Sequence, residues 1–463
     1  MKATNACFVM PLELSRNCPL QALDIPARGL QQQVSKLAKW AHVQIDCANP
    51  ALQKTGEHAR LHATRKNGCY IIVLVLSLLS SSICKPIGVH VYDAADYPIL
   101  QDLQKCGRHW RGSQWGTEHA VHDWFRTQFH VSPMEADFFY VPIYFKCASS
   151  TRGRAYVAEK TTKLLEQLKY YQVSGGEDHI FLFASGDGPT RFPGWSRYIP
   201  NAIFIMTEGH YNDGLEKRLQ APYHNPFKDL LIPGYTGSAR RIFNFIAADM
   251  PILSRRYLAT YIGNDQGRIT RLKVRNLSRL HPDLIFAPTS IHDPEYTQTL
   301  GNSKFCLVPR GLSSWSLRLY ESFLAGCIPV VLNDYLRFPF TSFISYNTIS
   351  IKWPENVINE ELLKYLQAVD SNSLTSAHDE VRSVKCFFSF HPIHHFGNCT
   401  ALTAMSTELL RKFKRFKSSP VTFWTLQGGI MDAQLNGFES WHPPFQVLDV
   451  FDGKAKEHYG NQS

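Results

Sequence analysis

Ser303 to Phe340, SKFCLVPRGLSSWSLRLYESFLAGCIPVVLNDYLRFPF, reads as a strand, a ligand loop, a helix and a second strand. Lys304 to Val308 is a short apolar run suited to a buried strand, and Pro309-Arg310-Gly311 with Ser313 and Ser314 ends it with turn chemistry. Ser313 or Ser314 is expected to cap a helix whose apolar face carries Leu317, Tyr320, Phe323 and Leu324, with Gly326 at its stop. Ile328 to Leu332 reads as the next buried strand. Two strands joined this way form a parallel crossover, and open α/β sheets bind ligands beyond the carboxyl ends of their strands, beside the helix N-terminus. Arg310 and the serines fall there.

Ser314, Arg318 and Glu321 are spaced to share one helix face. Helix-end amides, hydroxyls and guanidinium groups suit a diphosphate, and a carboxylate one turn deeper suits a pair of ribose hydroxyls. An isolated Arg-Glu pair on a solvated face would contribute little. Here the loop in front of it adds Arg310, Gly311 and Ser316.

With Pro309 to Gly311, Ser316 to Arg318, Glu321, Gly326 to Val330 and Pro339-Phe340 in this order, the segment resembles the C-terminal signature of the exostosin-type glycosyltransferases, which include heparan sulfate polymerases and plant and algal wall transferases. Further echoes are VHVYD at Val89 to Asp93, EADFFYVPIYF at Glu135 to Phe145, EDHIFLFASGDG at Glu177 to Gly188, FKDLLIPGY at Phe227 to Tyr235 and RRYLATYIGN at Arg255 to Asn264. The resemblance covers residues 87 to 415 and implies a GT-B arrangement, inversion at the transferred sugar and a Golgi enzyme. It also admits assembly with other transferases as homo- or hetero-oligomers.

Apolar runs alternating with amphipathic stretches give an α/β fold with two facing Rossmann-like domains. The expected layout is a poorly ordered cytosolic leader over 1–67 and a signal-anchor over 68–84. An acceptor-side domain over 86–245 and a nucleotide-sugar-binding domain over 246–400 follow, then a closing helix and tail over 401–463. Cys69 to Cys84, CYIIVLVLSLLSSSIC, has an apolar heart of about eleven residues, short for a span, and a buried strand or helix is the other reading. Arg60, Arg65 and Lys66 before it would hold the N-terminus in the cytosol and place the rest in the Golgi lumen, a single-pass type II topology.

Composition fits a folded enzyme, with 44% hydrophobic and 13% aromatic residues. The net charge of +10 does not point to nucleic acid. Residues 1–67 hold nine Lys or Arg against four Asp or Glu, so half the excess lies there, and the run Arg411 to Lys417 reads as a solvated helix end. No CxxC pair or Cys/His zinc spacing occurs among the 11 cysteines. Cys106, Cys147, Cys306, Cys327, Cys386 and Cys399 could pair in an oxidising lumen, although Cys306 and Cys327 read as readily as free core thiols. Asn276, Asn398 and Asn461 begin glycosylation sequons, which matter only in that compartment.

The expected reaction is transfer of a sugar from a nucleotide-sugar donor, UDP-linked for preference, to a polysaccharide or glycoprotein glycan. Arg310 and Arg318 would offset charge on the leaving diphosphate, Gly311 and Ser316 would line it, and Glu321 would hold the ribose. No Asp-x-Asp motif lies near the loop, so no metal or other cofactor is expected. Asp187, just after the apolar run His179 to Phe183, is the expected base, although a turn aspartate is its plainer reading and relatives have a His-Asp pair followed by an aromatic there. His179 beside Asp178 and Glu118 beside His119 read as structural. A catalytically inactive carbohydrate-binding or scaffold relative of the same fold is the alternative.

Overall fold

Short runs of Val, Ile, Phe and Tyr with no alternating polar face are strands that must be covered on both sides, which favours parallel sheets wrapped by helices. The computed structural model describes residues 87–209, 224–287, 294–311, 313–314, 316–393 and 396–418. These lie almost wholly in the compact unit Gly88–Ser463. The run Cys69 to Cys84 and the tail beyond Ser418 lie outside the described residues, whereas the basic run Arg411 to Lys417 falls in the last helix of the described part; among the described residues, no helix is long and apolar enough to cross a membrane.

The first sheet contains β1 (Val89–Val91), β2 (Phe138–Tyr140), β3 (His179–Phe183), β4 (Ile203–Met206) and β5 (Leu230–Leu231), all parallel and in sequential order. The second has the order β10-β9-β8-β6-β7, again all parallel, with β6 (Tyr257–Ile262), β7 (Leu284–Ala287), β8 (Ser303–Pro309), β9 (Ile328–Leu332) and β10 (Ile351–Lys352). The edge strands β5 and β10 are two residues long, too short to leave a periodic signal in the sequence. The helices that position the site are α1 (Thr117–Trp124), α2 (Phe145–Arg152), α3 (Arg154–Gln167), α4 (Ala239–Ala248), α5 (Ile269–Ser278), α6 (Glu295–Gly301), α7 (Leu317–Leu324), α8 (Ser371–Val384) and α9 (Ala401–Ser418).

Each sheet has its own core. Phe139, Phe145, Phe181, Phe183 and Phe204 fill the first, and Phe145 stacks on Phe183 at 4.6 Å. Phe305, Leu307, Ile328, Val330 and Leu332 fill the second. Full burial of such a side chain contributes about 1.5–3 kcal/mol. All six described cysteines are paired, as Cys106–Cys147, Cys306–Cys327 and Cys386–Cys399. The free-thiol reading of Cys306 and Cys327 is therefore corrected. The crossover from β8 through α7 to β9 returns the chain to the neighbouring strand and brings the two Cα atoms to 5.8 Å.

Contacts between the halves set the cleft. The indole N–H of Trp124 on α1 donates to the Ser406 hydroxyl on α9 at 3.1 Å, and Lys412 on α9 donates to the Pro226 and Asp229 carbonyls. Tyr235 and His391 meet at 3.1 Å. The backbone of Gly186, after β3, lies against Ser313, after β8, so the carboxyl ends of the two sheets face one another. This is the two-domain α/β arrangement expected from the sequence.

Candidate active site

β6 has β7 on one side and β8 on the other, so successive crossovers leave it in opposite directions. A crevice opens beyond the carboxyl ends at such a switch point. After β6 the chain turns through Gln266 and Gly267, both at positive φ, and enters α5 with Arg268 just before it and Arg271 in its first turn. Arg318 lies in the first turn of α7 and sets its guanidinium over the Tyr261 ring at 4.7 Å. A side chain at position 263 would come within 2.6 Å of that guanidinium, so glycine is required for the close approach.

These arginines crowd one another. Burial pushes the Arg271 guanidinium below its usual pKa, and the charges of Arg318 and Arg268 lower it further. Arg271 donates to the Asn264 carbonyl at 2.9 Å, but the buried Nε atoms of Arg268, Arg271 and Arg318 have no hydrogen-bond partner. Asp265, the acid of the loop, is paired with Arg275 at 2.7 Å. Cations held together with unused donors form a site for an anion with several oxygens. Arg310 lies on the other lip, its guanidinium 5.0 Å from the Tyr335 ring centre and its carbonyl accepting from Thr270 on α5.

The donor-loop residues expected from the sequence, Arg310, Gly311, Ser316 and Arg318, all lie on the connection from β8 into α7. The helix starts later than expected. Ser316 is its N-cap residue in extended backbone, without a side-chain cap bond, and Ser313 and Ser314 remain in the loop, where the Ser314 carbonyl accepts from Asn333 at 2.8 Å. Ser314 therefore does not share the helix face of Arg318. Glu321 is buried, with one carboxylate oxygen accepting from Arg241 on α4 at 2.8 Å and the other from the Tyr296 hydroxyl on α6 at 2.5 Å. Arg241, Arg268 and Arg271 were missed in the sequence. Their only signal was a density of arginine at the starts of two helices, α4 and α5.

Across the cleft, Ser185 and Thr207 are buried at the ends of β3 and β4, and neither hydroxyl has a hydrogen-bond partner. Glu208, one residue on, is also buried, and a side chain at Gly186 would collide with both Glu208 and Ser313. Burial pushes the Tyr320 hydroxyl up, and the Glu208 carboxylate adds to the shift, so Glu208 lies within the electrostatic reach of α7. Asp187 lies beside this junction, 40% exposed, and is ion-paired with Arg191 and with Arg154, the latter at 3.5 Å.

Glu118, on α1, is enclosed against the start of α2. It accepts the backbone N–H groups of Lys146 and Cys147 at 2.7 and 3.3 Å, and burial still pushes its carboxyl up to about 8. His179 is fully buried between the Asp178 carboxylate at 2.7 Å and the Tyr92 hydroxyl at 2.9 Å, stacked on Phe139 in the core of the sheet. Among the described residues, no group of three or more His, Cys, Asp or Glu is arranged to hold a metal.

The family model described as the exostosin GT47 domain matches residues 83–369. The chain is 29% identical over 245 residues to a probable glucuronosyltransferase of Oryza sativa subsp. japonica, covering 48% of this chain and 56% of that one. It is 26% identical over 312 residues to a probable glucuronoxylan glucuronosyltransferase of Arabidopsis thaliana, covering 62% and 68%. The chain thus spans little more than half of the first relative's length. Among solved structures, Anabaena HepE in complex with UDP and glucose aligns at 9% identity and a TM-score of 0.32, covering 66% of this chain and 83% of that one.

Proposed function

This chain belongs to the exostosin GT47 family, and on that premise we propose that it is an inverting glycosyltransferase moving a sugar from a UDP-linked donor to a polysaccharide or glycoprotein glycan. The observation that carries the proposal is the group of Arg268, Arg271 and Arg318 at the switch point, each with a buried Nε lacking a partner. A departing nucleoside diphosphate supplies the anionic oxygens those groups lack. The names of the plant relatives, glucuronosyltransferases among them, agree with such a donor.

In the reaction an acceptor hydroxyl oxygen forms a bond to the anomeric carbon as the bond from that carbon to the diphosphate oxygen breaks. Negative charge grows on the diphosphate, where the arginines would stabilise it, with Arg310, Gly311 and Ser316 closing the other lip. The hydroxyl proton passes to a carboxylate of the facing half. The geometry favours Glu208 over Asp187 in this role. Glu208 adjoins Ser313 across Gly186, whereas the Asp187 carboxylate is already engaged by two arginines.

A Golgi lumenal setting, with the chain anchored through Cys69 to Cys84, belongs to the same proposal. The pairing of all six described cysteines supports an oxidising compartment. Carbonate extraction that leaves the protein soluble would remove the anchor. The activity is tested by incubating the purified chain with UDP- and GDP-sugars and glycan acceptors, beside Arg318→Ala. Transfer from one donor, lost in the variant without unfolding, is expected; absence of UDP binding would overturn the donor site, and binding without turnover would favour an inactive relative. Activity retained in chelator fits leaving-group stabilisation by arginine; loss restored by manganese would overturn it.

A further inference from the structure

A second group of cations lies on the other side of the cleft. Lys146 is the second residue of α2, Arg154 opens α3, and Arg191 ends the 3-10 turn Gly188–Arg191 that follows β3. Arg154 and Arg191 both pair with Asp187, and Arg191 also donates to the Ser149 hydroxyl at 3.4 Å. The Arg191 Nε is buried without a partner. The Lys146 ammonium sits 4.4 Å from the ring centre of Trp115. Asp187 directly follows Gly186, whose backbone touches Ser313 of the donor loop, so the group adjoins the meeting point of the two halves.

Its charge is unbalanced. Three cations face the one accessible carboxylate of Asp187. Of the other acids nearby, Glu118 is enclosed and occupied by the Lys146 and Cys147 N–H groups, and Glu208 is buried beside Gly186 and Ser313. Burial first, and then the charge of the neighbouring Arg191, hold the Lys146 ammonium below its usual pKa. Asp187 spaces the two guanidinium groups without neutralising the set.

We propose that Lys146, Arg154 and Arg191 form an acceptor subsite for a carboxylate of an acidic, uronate-bearing glycan, with Asp187 as a positioning residue for the two arginines. The planar fork of an arginine matches a carboxylate, and a sugar acid beside Trp115 would present both an anionic group and an apolar ring face. This rests on the glycosyltransferase reading for the acceptor's role but not for the binding itself.

Calorimetric titration of the full chain tests it, using a glucuronic acid-containing oligosaccharide, its carboxyl-reduced counterpart and a sulfated neutral oligosaccharide, with UDP binding measured on the same sample. The uronate ligand is expected to bind roughly tenfold or more tightly than the reduced one, as for a charge-assisted contact. That preference should weaken with salt, shrink to within about twofold in Arg154→Ala and vanish in Arg154→Glu, an exposed position that tolerates change. Equal binding of the reduced ligand with UDP binding intact would overturn the subsite while leaving the donor reading in place. Uronate selectivity without UDP binding would support the subsite and count against the donor reading. Selectivity that survives Arg154→Glu, or preference for sulfate, would also overturn the assignment.

Discussion

Arg241 and Glu321 form a 2.8 Å ion pair that ties α4 to α7 across 80 residues of sequence. Glu321 is buried and Arg241 one-third exposed, so the pair is only partly screened, and removing one partner leaves the other charge poorly compensated. Arg241→Ala and Glu321→Ala should each lower unfolding free energy by about 1–3 kcal/mol, with a coupling of about 1 kcal/mol in the double variant. Denaturant titration of the four proteins measures this, and simple additivity would deny the pair any mutual energy. If Glu321 also holds a ribose, Glu321→Gln should weaken UDP binding more than Arg241→Ala does.

The arginines at the switch point predict an unusual ligand response. With no anion bound, burial and then the charges of Arg318 and Arg268 oppose the Arg271 charge, so Arg271→Ala should cost the unliganded protein about 1 kcal/mol at most, the worth of its hydrogen bond to the Asn264 carbonyl. UDP at about 100 times its dissociation constant should stabilise the parent by about 2.7 kcal/mol, a rise of a few degrees in melting temperature. Arg271→Ala and Arg318→Ala should lose most of that rise. Thermal melts with and without UDP are sufficient, and an undiminished rise in both variants would place the diphosphate elsewhere.

The strand His179–Phe183 and the unit from Ser303 to Leu332 could be read from sequence because burial on both faces leaves continuous apolar runs, and turn residues mark where they stop. Arg310 and Arg318 could be read for the same reason: a crossover fixes which residues lie at the carboxyl end of a strand. Arg271 could not, since its relation to Arg318 depends on β6 lying beside β8, a pairing between non-consecutive strands that leaves no local spacing, and Arg241 could not, since it meets Glu321 across 80 residues of sequence. Glu208 was hidden similarly, in a short stretch after β4 whose importance appears only when the other sheet folds against it. Asp187 lies just past the end of β3, but its partner Arg154 comes from another element and engages its carboxylate, which no local spacing announces.

Gly186 is a point of close approach between the halves. A methyl group there would collide with the Ser313 side chain and the Glu208 carboxylate together, so both must move. Gly186→Ala should reduce transfer at least roughly tenfold through misplacement of the donor loop or the base, while overpacking costs about 1–3 kcal/mol of stability. Adding Ser313→Gly makes room on one side and should restore part of the loss. Unchanged turnover in Gly186→Ala would show that these groups need not meet during the reaction.

Acid stability should turn on Asp249. Its buried carboxylate receives Arg255 and Lys385 at 2.8 Å each and His378 at 3.0 Å, with Arg382 at 3.4 Å, joining the end of α4 to α8 and the turn after it. Burial opposes ionisation, but the His378 hydrogen bond and the charges of Lys385 and Arg255 outweigh it and bring the carboxyl down to about 2. An aspartate in the unfolded chain titrates near about 3.9. The folded value is the lower one, so the stabilisation is complete above about pH 4 and is lost as pH falls toward about 2. It amounts to about 2 kcal/mol at neutral pH. Asp249→Asn should be destabilised by about 3 kcal/mol or more at pH 7, because it strands the buried cations, and its stability should fall less steeply than the parent's between about pH 4 and pH 2. Urea midpoints across that range compare the two slopes. Parallel curves would mean that other carboxylates govern acid unfolding and that Asp249 is replaceable in the hub.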